Sequence, residues 1–386
     1  MNSYQTSKWE WVALEDAVEI CDYLRKPVNS KERAQRVAYK REDELYPYYG
    51  ATGQVGYIDS YLSDGEYVLL GEDGAPFLDP FAKKAYLIKG KGWVNNHAHV
   101  LKSKLNNKFL CYYLNQVDYN GLVTGTTRYK LTQAAMKRIL VPTPDLVEQE
   151  RIVSKIEELF SKLDASVAEL KTAKEKLKVY RQAVLKEAFR CAESFVPFGN
   201  ITDARLGKML DKEKNTGTPQ RYLRNINVRW FNFDLSDLLE MRIGLDEIEK
   251  YSIQYGDLVI CEGGEPGRCA VWEEQEPIFY QKALHRVRFT DGSNPKFYMY
   301  YLWFAAQTGQ LKRFFTGTGI KHLTGQSLVK VPVPSADKNT QDHAVSEIEF
   351  RLSVCDSIEQ TVDTSLQKAE ALRQSILKQA FEGRLN

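Results

Sequence analysis

Thr316–Leu328 reads TGTGIKHLTGQSL, and Thr124–Met136 reads TGTTRYKLTQAAM. Laid over one another, both begin Thr-Gly-Thr, both return to Leu-Thr, and both carry basic side chains in between (Arg128 and Lys130; Lys321 and His322). The register then holds downstream without a gap: residues 124–189 align with 316–381, a shift of 192 positions. Val141-Pro142 meets Val333-Pro334, Gln149 meets Gln341, Ile156-Glu157 meets Ile348-Glu349, Arg181-Gln182 meets Arg373-Gln374, and LKEAF meets LKQAF. Upstream the likeness continues with small shifts. FLCYYL (109–114) resembles FYMYYL (297–302), VLLGEDGAP (68–76) resembles LVICEGGEPG (258–267), and WVNNHAHVLK (93–102) resembles FYQKALHRVR (279–288), which pairs His99 with His285. A period this long is not that of a solenoid, whose units run to about 20–50 residues. The chain is two copies of one module, which predicts an internal pseudo-twofold or translational relation.

Each copy ends in a long amphipathic helix. From Leu146 to Phe189 there is no Gly or Pro, and Ile156, Leu163, Leu170, Leu177 and Val184 recur every seven residues. Ile152, Leu159, Ala173 and Tyr180 fill most of a second seam, and in the second copy Ile348, Cys355, Val362, Ala369 and Ile376 hold the equivalent positions. This is an a/d heptad pattern. A helix of about 40 residues spans about 60 Å. One such helix cannot stand alone, and equal length and period make pairing of the two with each other the economical solution, antiparallel as a coiled coil.

The remainder of each copy is mixed. Short apolar runs bounded by Gly, Asp and Pro predict strands at GQVGYI, EYVLL, KAYLI, DLVIC, RCAVW and LHRVRF. NKFLCYYLNQV and PKFYMYYLWFAAQTGQLKRFF predict helices, and LVPTP and VPVPS predict stops before the long helices. The expected fold class is α+β: globular heads at 1–145 and 194–337, alternating with long helices at 146–193 and 338–386.

Composition narrows the function. Basic and acidic side chains nearly balance, 53 against 51, so only their clustering can point to a nucleic acid. No apolar run approaches the ~18–20 residues of a membrane span, and the polar start MNSYQTSKWEWVALED is unlike a signal peptide. Six scattered cysteines form no C-x-x-C, so reduced buried thiols in a cytoplasmic protein are expected, without a zinc site. There is no phosphate-loop motif, no H-E-x-x-H, no glycine-rich cofactor fingerprint and no Asn-Pro-Pro-Tyr element. No catalytic residue, metal or cofactor is therefore expected. Glu72, Asp73, Glu262 and Glu265 lie in sequences that read as tight turns, and His97, His99 and His285 suit a structural or polyanion-contacting role better than that of a general base.

Basic residues instead form clusters within the heads, while acidic ones fall largely in separate stretches (DLSDLLEM, LDEIEK, WEEQEP). This segregation suits DNA, with Lys and Arg for phosphates and Arg, Asn and Gln for base edges. The candidate DNA-contacting residues are Lys91, His97, His99, Lys102, Arg128 and Lys130 in the first copy. In the second they are Arg205, Lys208, Arg221, Arg224, Lys282, His285, Arg286, Lys321 and His322. On the residues alone, an enzyme with an unrecognised site and a coiled-coil scaffold for proteins remain open alternatives.

The alternation of head and long helix, with LVPTPDLVEQERIVSKIEELF at the first junction, KVPVPS at the second and the terminal LKQAFEGRL, resembles the specificity (S) subunits of type I restriction–modification systems. The likeness covers essentially the whole chain. At the second junction, Thr340-Gln341-Asp342-His343 replaces Glu148-Gln149-Glu150-Arg151, and only the glutamine is kept. The resemblance implies that each head is a target-recognition domain reading one half of an asymmetric, bipartite double-stranded DNA target. It implies that the helices space the heads and dock two methyltransferase subunits, and that adenine methylation and ATP-driven cleavage by restriction subunits belong to partners. Stretches that differ between the copies, such as 25–48 and 205–236, would then carry base readout.

Overall fold

The computed structural model describes residues 9–191, 194–211, 213 and 215–385. The chain divides into two compact units, one of Met1–Thr172 with Val362–Asn386, the other of Ala173–Thr361. Each unit therefore holds one head together with the beginning of one long helix and the end of the other.

The first head is built on a six-stranded sheet in the order Val18–Ile20, Ala98–Ser103, Ser63–Gly71, Ala85–Val94, Tyr46–Tyr49, Gln54–Ile58. Neighbours run antiparallel except Tyr46–Tyr49, which lies parallel to the end of Ala85–Val94. Successive side chains of a strand point to opposite faces. Val68 and Leu70 accordingly join the core formed with the helix Asn107–Gln116 (Phe109, Leu110, Leu114), while Leu69 joins a second core with Cys21, Ile88 and Val100.

The second head repeats this plan with one break. Thr202–Leu206, Leu284–Phe289, Leu258–Cys261 and Cys269–Val271 form one sheet; Leu239–Ile243, Thr218–Leu223, Ile278–Tyr280 and Ser252–Ile253 form another. The single strand Ala85–Val94 of the first head corresponds to two pieces here, separated by the acidic, proline-containing stretch WEEQEP, which is poor strand material. Thr218–Leu223 is parallel to Ile278–Tyr280, as Tyr46–Tyr49 is to Ala85–Val94.

The sequence predicts one helix over 295–315, but it ends at Gln307. Gly309 takes a left-handed conformation, φ 75°, that terminates the helix, and a 3-10 turn Gln310–Phe314 follows. The proline-rich junctions are more than stops. Leu140–Pro142 pairs with Trp11–Ala13, and Pro332–Ser335 pairs with Ser194–Pro197, so each head is closed by a ladder joining its first and last segments.

The long helices run Leu146–Ala188 and Lys338–Phe381. In the first unit Ile152, Val153, Ile156 and Phe160 share a core with Ile376, Leu377, Ala380 and Phe381; in the second, Val184, Leu185 and Phe189 share one with Ala344, Val345 and Ile348. The start of each helix thus meets the end of the other, an antiparallel pairing. Of the expected seam, Ile156, Val184, Ile348, Cys355, Val362, Ala369 and Ile376 are buried, whereas Leu163, Leu170 and Leu177 are half-buried. Two helices enclose a seam from one side only, so a large leucine keeps an open flank.

The duplication extends to individual contacts. Phe381 packs edge-on against Phe109 with ring centroids 5.2 Å apart, and Phe189 against Phe297 at 5.3 Å. Asp164 accepts from Arg373 in one unit, and Asp356 from Arg181 in the other. Gln149 and Gln341 are both buried. Gln149 Oε1 accepts from the Asn106 N–H at 2.7 Å while its Nε2 donates to the Pro144 carbonyl at 2.8 Å; Gln341 makes the same two bonds, to Asn294 and Ala336, at the same distances. That double clasp explains why the glutamine alone survives at the second junction. The neighbouring Glu148, Arg151, Thr340 and His343 lie on the helix surface, so they carry no equivalent constraint.

No helix among the described residues is long and apolar enough to cross a membrane. Cys21, Cys111, Cys261, Cys269 and Cys355 are buried free thiols, and burial pushes Cys111 up to about 12 and Cys261 up to about 11. The side chain of Cys191 lies outside the described residues.

Candidate nucleic-acid interface

In each head the Thr-Gly-Thr segment folds back on itself. Thr124 bridges Lys130, with Gly125 at φ 96°; Thr316 bridges His322, with Gly317 at φ 93°. A Cβ on either glycine would lie 2.3–2.4 Å from a backbone oxygen across the loop, so only glycine fits. Immediately after, the Leu131 N–H donates to the Glu72 carbonyl and the Leu323 N–H to the Glu262 carbonyl, both at 2.7 Å. The basic loop is thereby pinned to the carboxylate-bearing turn in both heads.

His99 and His285 complete this framework. His99 Nε2 donates to the Leu131 carbonyl at 3.2 Å, and His285 Nε2 to the Leu323 carbonyl at 2.9 Å. Burial holds the His285 imidazole below its ordinary value. In the first head His99 Nδ1 also lies 2.8 Å from the Asp22 carboxylate. Burial alone would raise Asp22, but His99, the Val100 N–H and Arg25 together hold it below the usual carboxylate range.

The first head presents a polar groove beside the loop. One section, of about 500 Å³, is lined by Asn29, Arg33, Tyr48, Val55, Asn95, Asn96 and His97 among others. The adjoining section, of about 730 Å³, shares Val55, Asn95 and His97 and adds Thr52, Asp73, Thr127 and Arg128. Arg128 donates to Asp73 at 2.7 Å, His97 Nδ1 lies 3.5 Å from the same carboxylate, and Lys130 lies 3.5 Å from Glu72. Glu72 also accepts from Arg25. The GEDG turn is therefore a turn, as its sequence reads, and also the anchor of a charge network.

Of the residues singled out in the first copy, His97 and Arg128 line this groove, and Lys130 joins its charge network through Glu72. Lys91, with its ammonium 4.7 Å from the Tyr61 ring, and Lys102, paired with Glu19, are exposed but do not line this groove. In the second head Lys321 is exposed and donates to the Gly317 carbonyl at 2.7 Å, and His322 packs over Gly263, where a Cβ would stand 2.9 Å from its Nδ1. Lys282 and Arg221 are exposed, Arg205 pairs with Asp203, and Arg224 with Asp237.

Four of the basic candidates point inward instead. His99, Lys208, His285 and Arg286 are buried. His99 sits on Ala98–Ser103, and His285 and Arg286 on Leu284–Phe289. Each strand is flanked on both edges and buried over its first four residues, so basic side chains there must find partners inside. Arg286 donates to Asp203 at 2.8 Å, and Lys208 to Glu247 and to the Arg242 carbonyl. A sequence reading that counts charges cannot distinguish an interior strand from a surface one.

Sequence reasoning also passed over residues. In the first head these are Asn29, Arg33, Asn95 and Asn96. In the second they are Asn225 and Arg268, which meet at the turn: Asn225 donates to the Gly263 carbonyl at 2.5 Å and Arg268 to the Asn225 carbonyl at 3.0 Å. Asn225 Oδ1 and the Nε atoms of Arg224 and Arg268 are buried with no hydrogen-bond partner among the described residues. The available signal was positional: Arg33 and Asn225 fall in the stretches that differ between the copies.

Comparison with known proteins places this architecture. The type I restriction modification DNA specificity domain matches residues 6–176. The chain is 26% identical over 379 residues to a putative type I restriction enzyme specificity subunit of Haemophilus influenzae, covering 94% of this chain and 93% of that one. It is 25% identical over 310 residues to the EcoKI specificity subunit of Escherichia coli, covering 75% of this chain and 65% of that one. The fold matches a chain from a structural study of complex assembly in a type I restriction–modification system (TM-score 0.71, 15% identity, 97% and 98% of the two chains). It also matches the HsdS subunit of Thermoanaerobacter tengcongensis (TM-score 0.60, 16% identity, 97% of each chain). With the duplicated head and long helix seen in sequence and repeated in the fold, these matches show that the chain is similar over nearly its whole length to the specificity subunits of type I restriction–modification systems.

Proposed function

We propose that this protein is the non-catalytic, DNA-reading subunit of a type I restriction–modification complex, with each head reading one half of an asymmetric, interrupted target. The observation that carries the asymmetry is the contrast between conserved frame and divergent excursions. Both heads keep the His–carbonyl lock, the glycine-pinned loop and the glutamine clasp. Between equivalent strands, however, the first head inserts residues 21–45, including the helix Ser30–Val37, where the second has only 207–217. The second instead elaborates 224–251, after the strand Thr218–Leu223. Two frames of one design carrying different surfaces would present different groups to base edges.

The target-recognition domains are assigned to 1–145 and 194–337, and the long helices to 146–193 and 338–386, which set the spacing of the half-sites and offer docking surface to two methyltransferase subunits. Restriction subunits join through the assembled complex, in the cytoplasm where DNA is accessible. Phosphate and base contacts are assigned to the basic residues that are exposed or half-buried: Lys91, His97, Lys102, Arg128 and Lys130 in the first domain, and Arg205, Arg221, Arg224, Lys282, Lys321 and His322 in the second. The test is to express the protein with its methyltransferase and map modified adenines genome-wide. A bipartite motif with two unlike halves is expected; a single uninterrupted or palindromic motif, or modification by the protein alone, would refute the reading.

A further inference from the structure

The helix Ser30–Val37 is an anomaly of stability. It buries none of its residues, and four of its eight are Lys31, Arg33, Gln35 and Arg36. Most helices in proteins are held by an apolar face packed on the core. This one is held from outside that rule. Asn29 caps it by accepting from the Glu32 N–H at 2.8 Å. Tyr48 fixes the preceding chain, its hydroxyl bonding both the N–H and the carbonyl of Val28 at 3.1 and 3.2 Å. Two arginines lie on aromatic rings of the sheet, Arg36 over Trp93 and Arg33 over Tyr48, each with its guanidinium carbon 4.7 Å from the ring centre. Just past the helix, Tyr39 is fully exposed and takes a left-handed φ of 65°, unusual for an aromatic residue.

The two stacked arginines differ in a way that matters. Arg36 is occupied, bonding Asp59 at 2.6 and 2.7 Å. Arg25 and Arg128 are likewise tied to carboxylates. Arg33 has no acceptor among the described residues; its guanidinium carbon lies over the Tyr48 ring, and Gly56 leaves it room, since a Cβ there would come to 3.5 Å from that carbon. It lines the groove with Asn96, an exposed amide. A planar fork stacked on an aromatic ring, with no acceptor among the described residues, matches the paired O6 and N7 acceptors of guanine in the major groove. A helix of eight residues, about 12 Å long, also suits that groove.

We propose that Arg33 is a specificity-determining residue of the first half-site, reading a guanine edge from the helix Ser30–Val37. This rests on the DNA-reading function proposed above. The test uses the complete complex with its methyltransferase, carrying Arg33→Ala or Arg33→Lys, on a DNA library randomised across both half-sites. Both variants are expected to lose about ten- to hundredfold preference for guanine at one position of one half-site. The other half-site and the salt dependence of binding should stay as in the wild type. A uniform loss across all sequences, an unchanged profile, or full retention of preference by Arg33→Lys would each overturn the proposal, the last by reducing Arg33 to a phosphate contact. If the wild-type complex itself shows no half-site preference, the proposed function fails with it; if the wild type reads two half-sites and Arg33→Ala reads them identically, only this inference fails.

Discussion

At the scale of the residue, burial decides what a basic side chain is for. Lys321 and His322 lie on the pinned loop of the second head, where Lys321 is exposed and donates to the Gly317 carbonyl. Lys321→Ala should weaken DNA binding about equally for all sequences and reduce the dependence of log affinity on log salt by about one, read from binding isotherms at several salt concentrations. Lys208, buried against Glu247, should behave oppositely: Lys208→Ala removes the buried ammonium that bonds Glu247 and the Arg242 carbonyl and should lower stability with an unchanged salt slope. His285 offers a pH test. Its folded value is depressed by burial, so the unfolded chain takes up the proton first, and stability falls as pH drops through about 6.5 and below. In urea titrations, the acid-side loss should be smaller for His285→Gln than for the wild type. The histidines also mark what sequence could and could not reveal. Their pairing across the repeat was legible, but the burial of the strand segment they occupy was not, because HAHV and LHRV alternate no differently from half-exposed strands.

At the scale of the element, the repeated contacts identify what holds each head to its helices. Gln149 and Gln341 each satisfy a backbone donor and a backbone acceptor at the point where a head passes into a long helix. Replacing one by Ala removes the side-chain partner of both groups at a largely buried junction and should cost about 1–3 kcal/mol. Gln149→Ala and Gln341→Ala should give similar losses in thermal or chemical denaturation, because the clasp is the same in both copies; a large difference would show that the surrounding charges, which differ, carry the junction. The helices themselves were legible from period and from the absence of Gly and Pro over more than forty residues. The helix Ser30–Val37 was not, since SKERAQRV has no apolar stripe to betray it and is held by contacts to Tyr48 and Trp93 that are distant in sequence. The proline ladders were also hidden: LVPTP and VPVPS read as breakers, and only pairing with Trp11–Ala13 and Ser194–Pro197 turns them into strands.

At the scale of the whole molecule, duplication allows one design to read two sequences, provided that the long helices keep the half-sites in register. On that proposal, the helices should act as a length standard that can be edited without disturbing the heads. Removing one heptad from each at equivalent positions, 166–172 and 358–364, keeps the seam in phase because the apolar repeat is seven residues long. Each helix becomes shorter by about 10 Å. Neither deletion touches the segments whose side chains enter the head cores, Ile152–Phe160 and Val184–Phe189 on the first helix and Ala344–Ile348 and Ile376–Phe381 on the second. With about 3.4 Å of rise per base pair, the edited protein should prefer a spacer shorter by about three base pairs while reading unchanged half-sites. A methylation assay over a series of spacer lengths tests this directly. Recognition retained at the original spacer, by a protein that still folds and assembles with its methyltransferase, would show that the distance is set elsewhere.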